Sequence, residues 1–183
     1  MSARIFVTSD HHFGHDNIYT FTNNAGELIR PEFKTANTAD REMILRWNAL
    51  VTPQDHVWHL GDVAFGAPEN LHLVKHLNGH KRLVLGNHDR RKITEYMAVG
   101  FQKIQASHFI DGAWLTHIPM HAMGLYNGRI NIHGHIHEKH VMLPEAEASG
   151  LMGVRDRRYV NVAVEQTDYR PILLEEARAR ATG

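Results

Sequence analysis

The sequence RIFVTSDHH, at residues 4–12, decides the fold, because an apolar run passes directly into polar side chains that can bind a metal. Residues 4–8 combine Ile, Phe and Val, which is typical of a buried β-strand. Asp10, His11 and His12 follow at the point where that strand ends. Because open α/β sheets bind ligands beyond the carboxyl ends of their strands, this stretch predicts a strand that carries functional side chains at the rim of a sheet.

Four further apolar runs end in the same way. They are residues 56–60 before Gly61-Asp62, residues 82–85 before Gly86-Asn87-His88-Asp89, residues 113–116 before His117, and residues 129–132 before His133-Gly134-His135-Ile136-His137. A single Gly-Asp or Asn-His pair is common in turns and would mean little. Five such ends in series are hard to explain as turns, so we expect them to converge at one rim.

Helical patterns lie between the apolar runs. Residues 38–51 place apolar side chains on one stripe, with Thr38 or Asn37 as the N-cap. Residues 68–77 begin with Pro68, and residues 90–99 form a weaker pattern that ends at Gly100. The alternation of strand and helix predicts an α/β sheet, and the later runs at 101–105 and 159–164 predict a second sheet packed on the first.

Composition limits the class of protein. The chain has 183 residues, which fits a single domain over residues 1–183. Lys plus Arg and Asp plus Glu each number 20, so no dedicated nucleic-acid-binding surface is expected. No apolar run is long enough for a signal peptide or a membrane span, which predicts a cytoplasmic protein that does not act at a membrane. Nothing in the sequence predicts the oligomeric state.

The metal chemistry follows from the residue types. The sequence has no cysteine and 16 histidines, so any metal must be bound by nitrogen and oxygen. Two carboxylates, one amide oxygen and four imidazoles at the strand ends suit two divalent cations such as manganese, iron, zinc, nickel or cobalt. Asp62 lies in the middle of the series and is the natural bridge, because a carboxylate can bridge two metals. Two aspartates leave such a pair with a net positive charge, which favours an anionic substrate.

The five motifs together resemble the signature of the calcineurin-like metallophosphoesterase superfamily. They are Asp10-x-His12, Gly61-Asp62, Gly86-Asn87-His88-Asp89, His117 and Gly134-His135-x-His137, and they span residues 10–137. The tail at residues 159–162 and 169–171 also resembles small bacterial and phage members. The resemblance implies a metallophosphoesterase fold, with two packed mixed β-sheets flanked by helices in α-β-β-α layers.

The resemblance also implies a ligand set and a cofactor. The first metal ion is expected on Asp10, His12, Asp62 and His137, and the second on Asp62, Asn87, His117 and His135. The cofactor is then a pair of divalent cations. Manganese is favoured, with iron, zinc, nickel, cobalt and magnesium as alternatives.

Other residues near the motifs are expected to serve the reaction. Hydroxide formed from a water between the two cations would attack phosphorus, and His88 is predicted to protonate the leaving oxygen, held in its charged form by Asp89. The alternative for His88 is support of the ligands. Substrate contacts are predicted for His15, Asn17, Arg90, Arg91 and His121. A loop-capping role for His15 and solvated arginines are the alternatives.

These expectations favour an enzyme that hydrolyses a phosphomonoester or phosphodiester. A small phosphorylated substrate, in particular a nucleotide or a cyclic phosphodiester, is preferred because the chain leaves only residues 138–183 after the last motif. A nuclease acting on DNA or RNA is one alternative. A metal-free scaffold is another, and it predicts broken ligand motifs.

Overall fold

The computed structural model describes residues 2–144 and 153–182, and its first sheet carries the predicted strand ends. The strands are β1 (Ile5–Thr8), β2 (His56–His59), β3 (His80–Val84), β4 (Phe101–Gln105) and β9 (Ile172–Leu173), in the order β4-β3-β2-β1-β9. Strands β1 to β4 are parallel, and β9 is antiparallel to β1. The first three therefore end at the same edge.

A second sheet contains the later strands except β9 and β4; the prediction for β4 is wrong, because β4 pairs with β3 at the edge of the first sheet. They are β5 (His108–Ile110), β6 (Ala113–Leu115), β7 (Ile130–His133) and β8 (Tyr159–Asn161), in the order β5-β6-β7-β8. Strands β6, β7 and β8 are parallel, while β5 is antiparallel to β6. The second sheet thus also presents a row of carboxyl ends.

The helices are α1 (Ala36–Leu50), α2 (Pro68–Leu71), α3 (Ile93–Ala98) and α4 (Leu174–Thr182). Helix α1 has about the predicted length, whereas α2 and α3 are shorter than the sequence patterns suggest. The N-cap prediction for α1 is wrong, because Thr35 is the cap and its hydroxyl accepts from the Thr38 amide. The second predicted helix leaves α geometry after Leu71 and continues as a 3₁₀ helix over His72–His76.

Side-chain alternation explains why the layers pack in this order. Phe6, Val57 and Leu83 face one side of the first sheet and share a buried cluster with residues of α1, α2 and α3. Their neighbours along the strands, such as Val7 and Trp58, face the other side and join residues of the second sheet in a second cluster. Successive side chains of each strand therefore alternate between the two buried faces of the sheet. The predicted class, two packed mixed sheets flanked by helices, is confirmed.

Helix α4 packs against both sheets. It contacts β1 and β9 of the first sheet and β7 and β8 of the second. Leu174 and Ala177 insert into the cluster between the sheets. Within residues 2–144 and 153–182, no helix combines the length and apolar character that a membrane crossing requires.

Candidate metal centre

Strand ends from both sheets meet at one rim and bring the predicted ligands together. One group contains Asp10, His12 and His137, and the other contains Asp62, His117 and His135. Within each group, one potential ligand atom per residue lies within 4.8 Å of the others. The two groups are therefore compact enough for one cation each.

Asp62 lies between the two groups. Its Oδ2 atom is 3.5 Å from His12 Nε2 in the first group and 3.4 Å from His117 Nε2 in the second. Asn87 completes the second group, since its Oδ1 atom is 2.9 Å from His117 Nε2 and 3.0 Å from His135 Nδ1. Asp62, a member of the second group, thus also approaches a ligand of the first.

The donor set fits cations because several buried ligand atoms lack partners. Among the described residues, Asp10 Oδ1 and both ring nitrogens of His12 have no hydrogen-bond partner. Asp10 and His12 are almost fully buried. Buried polar atoms without partners are costly, and a cation bound to the first group would take up Asp10 Oδ1 and one of the His12 nitrogens. The first group therefore fits a cation on this ground, and the second fits one through the nitrogen and oxygen donors of Asp62, Asn87, His117 and His135.

The backbone at these positions is strained. Asp10, His12 and Asp62 have φ of 60°, 50° and 56°, and His135 and His137 have φ of 72° and 48°. Non-glycine residues seldom adopt the left-handed region, and such strain concentrates at functional sites. Five of the seven predicted ligands share this geometry, which sharply redirects the chain after each strand.

Two motif glycines leave room for the ligands. A Cβ atom on Gly86 would overlap the Asp62 carboxylate, and a Cβ atom on Gly134 would overlap the side chains of Ser9 and Asp10. These contacts explain why Gly precedes both Asn87 and His135 in the sequence. The backbone approaches the carboxylates so closely that no larger residue fits.

The pKa values of Asp10 and Asp62 are shifted in opposite directions. Burial raises the pKa of Asp10 to about 6, although nearby His137 and His117 oppose the shift. Burial also acts to raise the pKa of Asp62, but His117 and His12 more than offset it and lower that pKa below its usual value. Asp62 is therefore the more firmly ionised carboxylate, as a bridge between cations requires.

His88 lies beside the centre with an exposed side chain. Its ring centroid is 5.4 Å from that of His12, and its backbone amide donates to Asp62 Oδ1 at 2.9 Å. The backbone bond fixes the residue against a ligand while the ring faces outward. This placement suits proton transfer at the edge of the site.

Asp89 does not take the predicted role of orienting His88. Its Oδ2 atom accepts from the amides of Asp62 and Gly86, both at 2.8 Å. Its Oδ1 atom accepts from the Val63 amide at 3.1 Å and the Tyr96 hydroxyl at 3.3 Å. Burial raises the pKa of this carboxyl, and the backbone amides oppose the shift. Asp89 instead joins the two loops that carry Asp62 and Asn87.

The five predicted substrate contacts divide into two sets. His15, Arg90 and Arg91 lie near the centre: His15 is 5.8 Å from His12 between ring centroids, and the two arginines line a cavity with His88. Asn17 is exposed on a 3₁₀ turn, with its carbonyl bonded to Thr20. His121 caps the turn at Ala122–Gly124 through a 3.3 Å bond from the Met123 amide.

A comparison of sequences finds proteins related to this chain. The uncharacterized protein MJ1445 of Methanocaldococcus jannaschii is 30% identical over 183 residues, covering 96% of this chain and 90% of its own length. The chain belongs to the MJ1445 family. No protein-family model matches the sequence.

The fold of this MJ1445-family chain also has solved counterparts. The Aquifex aeolicus protein of unknown function AQ665 superposes with a TM-score of 0.66 at 24% identity, over 96% of this chain and 97% of that one. This likeness shows a shared fold. The Pseudomonas putida nuclease MPE is a more distant neighbour, with a TM-score of 0.49 and 20% identity over 83% of this chain and 68% of the nuclease.

Sequence reasoning missed a buried ion pair behind the centre of this MJ1445-family chain. Glu165 Oε1 accepts from His137 Nδ1 at 2.9 Å and from Arg30 Nε at 2.7 Å. Arg30 also donates to the carbonyls of Asp10 and His11. Burial acts to raise the pKa of Glu165, but Arg30 and His137 lower it to about 2. A carboxylate on one ring nitrogen orients the other nitrogen toward a metal.

Glu165→Gln should weaken metal binding about 10- to 100-fold, the usual effect of losing such an orienting carboxylate. The amide removes the charge that holds His137 and pairs with buried Arg30. Competition with a chelator measures the metal affinity. Glu176→Gln is the matched control, because it removes an exposed ion pair with Arg180 and should change nothing. Equal metal affinity in both variants would contradict the role of Glu165.

Proposed function

We propose that the chain is a dinuclear metal-dependent phosphoesterase of the calcineurin-like type. The supporting observation is the position of Asp62 Oδ2, within 3.5 Å of a His12 nitrogen and 3.4 Å of a His117 nitrogen. A carboxylate oxygen shared by two groups of buried histidine and aspartate suits two cations side by side. The complete ligand set argues against the metal-free scaffold.

The two cations would be held by the ligands already described. Asp10, His12, Asp62 and His137 would bind the first, and Asp62, Asn87, His117 and His135 the second. A pair of divalent cations supplies an activated water and neutralises charge on the phosphoryl group. Manganese is the ion we favour, and iron, zinc, nickel, cobalt and magnesium are the alternatives, because nitrogen and oxygen donors bind each of them.

The protein itself supplies orientation and a proton. Asp89 and the Arg30–Glu165 pair hold the loops and His137 in place. When the oxygen of water forms its bond to phosphorus, the water loses a proton to solvent, the ester bond breaks, and the ester oxygen leaves with the bonding electrons. His88 donates the proton that this oxygen needs, and its exposed ring then regains a proton from solvent.

Reloading the metal-free protein with one metal at a time tests the function. Manganese, nickel, zinc and magnesium would each be assayed on nitrophenyl phosphate, bis-nitrophenyl phosphate and cyclic nucleotides. We expect two ions per chain and metal-dependent hydrolysis of at least one of these esters. Two bound ions with no hydrolysis of any ester would count against the phosphoesterase, and no bound ion would count against the metal centre.

His88→Asn should slow hydrolysis of alkyl esters by about 100- to 10,000-fold while both metals stay bound. Nitrophenyl esters should lose much less, because nitrophenolate leaves without a proton. His72→Asn, an exposed histidine on the 3₁₀ helix at His72–His76, is the matched control. The measurement is turnover on a series of leaving groups, with metal content determined in parallel. A uniform loss across the series would show that His88 supports the ligands instead.

A further inference from the structure

Aromatic rings extend outward from the centre toward solvent. His15 lies 4.0 Å from Phe65 and 5.8 Å from Phe21 between ring centroids, and Phe65 lies 5.4 Å from His88. Phe65 is 38% exposed and Phe21 47% exposed. We call His15, Phe21, Phe65 and His88 the aromatic rim. Exposed rings that cluster beside a polar centre form a surface on which a ligand can pack.

The rim is held in position by its surroundings. His15 Nδ1 accepts from the Ile18 amide at 2.9 Å, which fixes the imidazole that packs against Phe65. Phe65 itself is anchored through its backbone, since its amide donates to the Phe13 carbonyl at 2.9 Å. A preorganised ring loses little freedom when a flat ligand stacks on it.

Two arginines adjoin the rim. Arg90, Arg91, His88 and Phe65 line a cavity of about 220 Å³. Arg90 Nε donates to the Asn87 carbonyl at 2.9 Å, and Arg91 Nη2 donates to the Gly66 carbonyl at 2.7 Å. Glu95 approaches Arg91 only at 3.8 Å. The cavity is smaller than the roughly 300–1,000 Å³ that encloses a drug-sized ligand, so it suits one part of a substrate.

We propose that the aromatic rim and Arg90–Arg91 form a subsite for a nucleotide leaving unit, with the nucleobase on Phe65 and the next phosphate on the arginines. This inference rests on the proposed function, because it places the scissile phosphate at the metal centre and the leaving oxygen beside His88. It narrows the substrate to a phosphodiester whose leaving side carries a base and a second phosphate. Aromatic side chains stack on any base, so the subsite is expected to be tolerant of sequence.

The first test is binding of the product expected when the leaving atom is the 3′-oxygen of a 5′-phosphorylated nucleotide. Calorimetry would compare thymidine 5′-monophosphate with deoxyribose 5-phosphate, which lacks the base, in manganese and again in chelator. Any contact between phosphate and metal contributes to both probes, so the difference isolates the base. We expect the nucleotide to bind about 5- to 100-fold more tightly, the range for one stacked base. Equal affinity in both conditions would overturn the proposal.

Two variants test whether the aromatic rim is responsible for the preference for the nucleotide. Phe65→Leu keeps an apolar side chain but loses the ring, and it should remove most of the preference for the nucleotide. Phe109→Leu is the matched control, because Phe109 is 42% exposed on β5 of the second sheet and should leave the preference intact. A preference that survives Phe65→Leu, or that falls equally in both variants, would overturn the role of Phe65.

A second pair of variants tests whether Arg90 and Arg91 contact the phosphate of the nucleotide. Arg91→Gln should weaken binding of thymidine 5′-monophosphate and reduce its dependence on salt, while thymidine binding stays unchanged. Arg41→Gln, at an exposed position on α1, is the matched control. Unchanged salt dependence in Arg91→Gln and in the double variant with Arg90→Gln would overturn the phosphate contact.

Hydrolysis assays distinguish a failure of the nucleotide subsite from a failure of the proposed phosphoesterase function. A dinucleotide, a single-stranded oligonucleotide and an abasic dinucleotide would be assayed with manganese. Cleavage of the first two in preference to the abasic form supports the subsite, and their relative rates distinguish a free dinucleotide from a strand. Equal cleavage of the abasic form overturns the subsite while the phosphoesterase stands. Selective nucleotide binding without hydrolysis of any ester overturns the phosphoesterase while the nucleotide site stands.

Discussion

Asp62→Asn should retain fewer than two metal ions per chain and lose activity by more than about 100-fold. Partners outside the coordination shell already contribute about 10- to 100-fold to metal affinity, so loss of the shared ligand should exceed that range. The amide keeps the shape of the side chain and an oxygen for the His88 amide, but it lacks the charge between the two groups. Metal content by mass spectrometry and turnover on a diester measure the effect.

Asp111→Asn is the matched control for this change. Asp111 is also an aspartate with positive φ, at 47°, but it is exposed and precedes β6 rather than following a strand end at the rim. Both substitutions therefore place Asn in a left-handed backbone, which Asn tolerates. Two retained ions and full activity in Asp62→Asn would contradict the bridging position.

Asp89→Ala should lower the free energy of unfolding by about 3–5 kcal/mol, the range for breaking a buried charged network. The change leaves the amides of Asp62, Val63 and Gly86 without their acceptor. Burial raises the pKa of the carboxyl, so part of the gain from these bonds is offset by the cost of a buried charge. For a chain of this size, a fall in Tm of roughly 10 °C is expected in a thermal melt.

Tyr96→Phe is the control for Asp89→Ala, because it perturbs the same hydrogen-bond network to a smaller extent. It removes the 3.3 Å hydrogen bond from the Tyr96 hydroxyl to Asp89 and the hydrogen bond of that hydroxyl with the Arg91 backbone, and it keeps the ring in the core. The expected loss is about 1–2 kcal/mol, because one neutral hydroxyl is removed while the backbone donors to Asp89 stay. A melt in which Asp89→Ala is no less stable than Tyr96→Phe would show that the backbone amides find other partners.

Much of the fold could be predicted because its strands follow a simple pattern. Buried parallel strands are rich in apolar residues, and such residues make up most of β1, the centre of β2 and the end of β3, directly before the chain turns at the rim. Strands β5 and β9 were not predicted, since they have three and two residues and such lengths carry no periodic signal. Their positions depend on pairing with β6 and β1.

The candidate site could be predicted only where its residues follow strand ends. Arg30 and Glu165 lie 135 positions apart in the chain, and no local spacing joins them. One signal was present, however, because the apolar run at residues 159–164 passes directly into Glu165, just as the earlier runs pass into Asp10 or His117. The role of Asp89 was misjudged for a related reason. Adjacency to His88 suggested a side-chain contact, whereas the carboxylate turns inward to backbone amides.

Each group of ligands draws on both sheets. Asp10 and His12 follow β1 of the first sheet, but His137 follows β7 of the second, and the other group pairs Asp62 with His117 and His135 in the same way. Neither half of the sandwich therefore contains a whole coordination shell. Cations bound there would therefore stabilise the packing of one sheet on the other, because the complete set of ligands exists only when both sheets are in place.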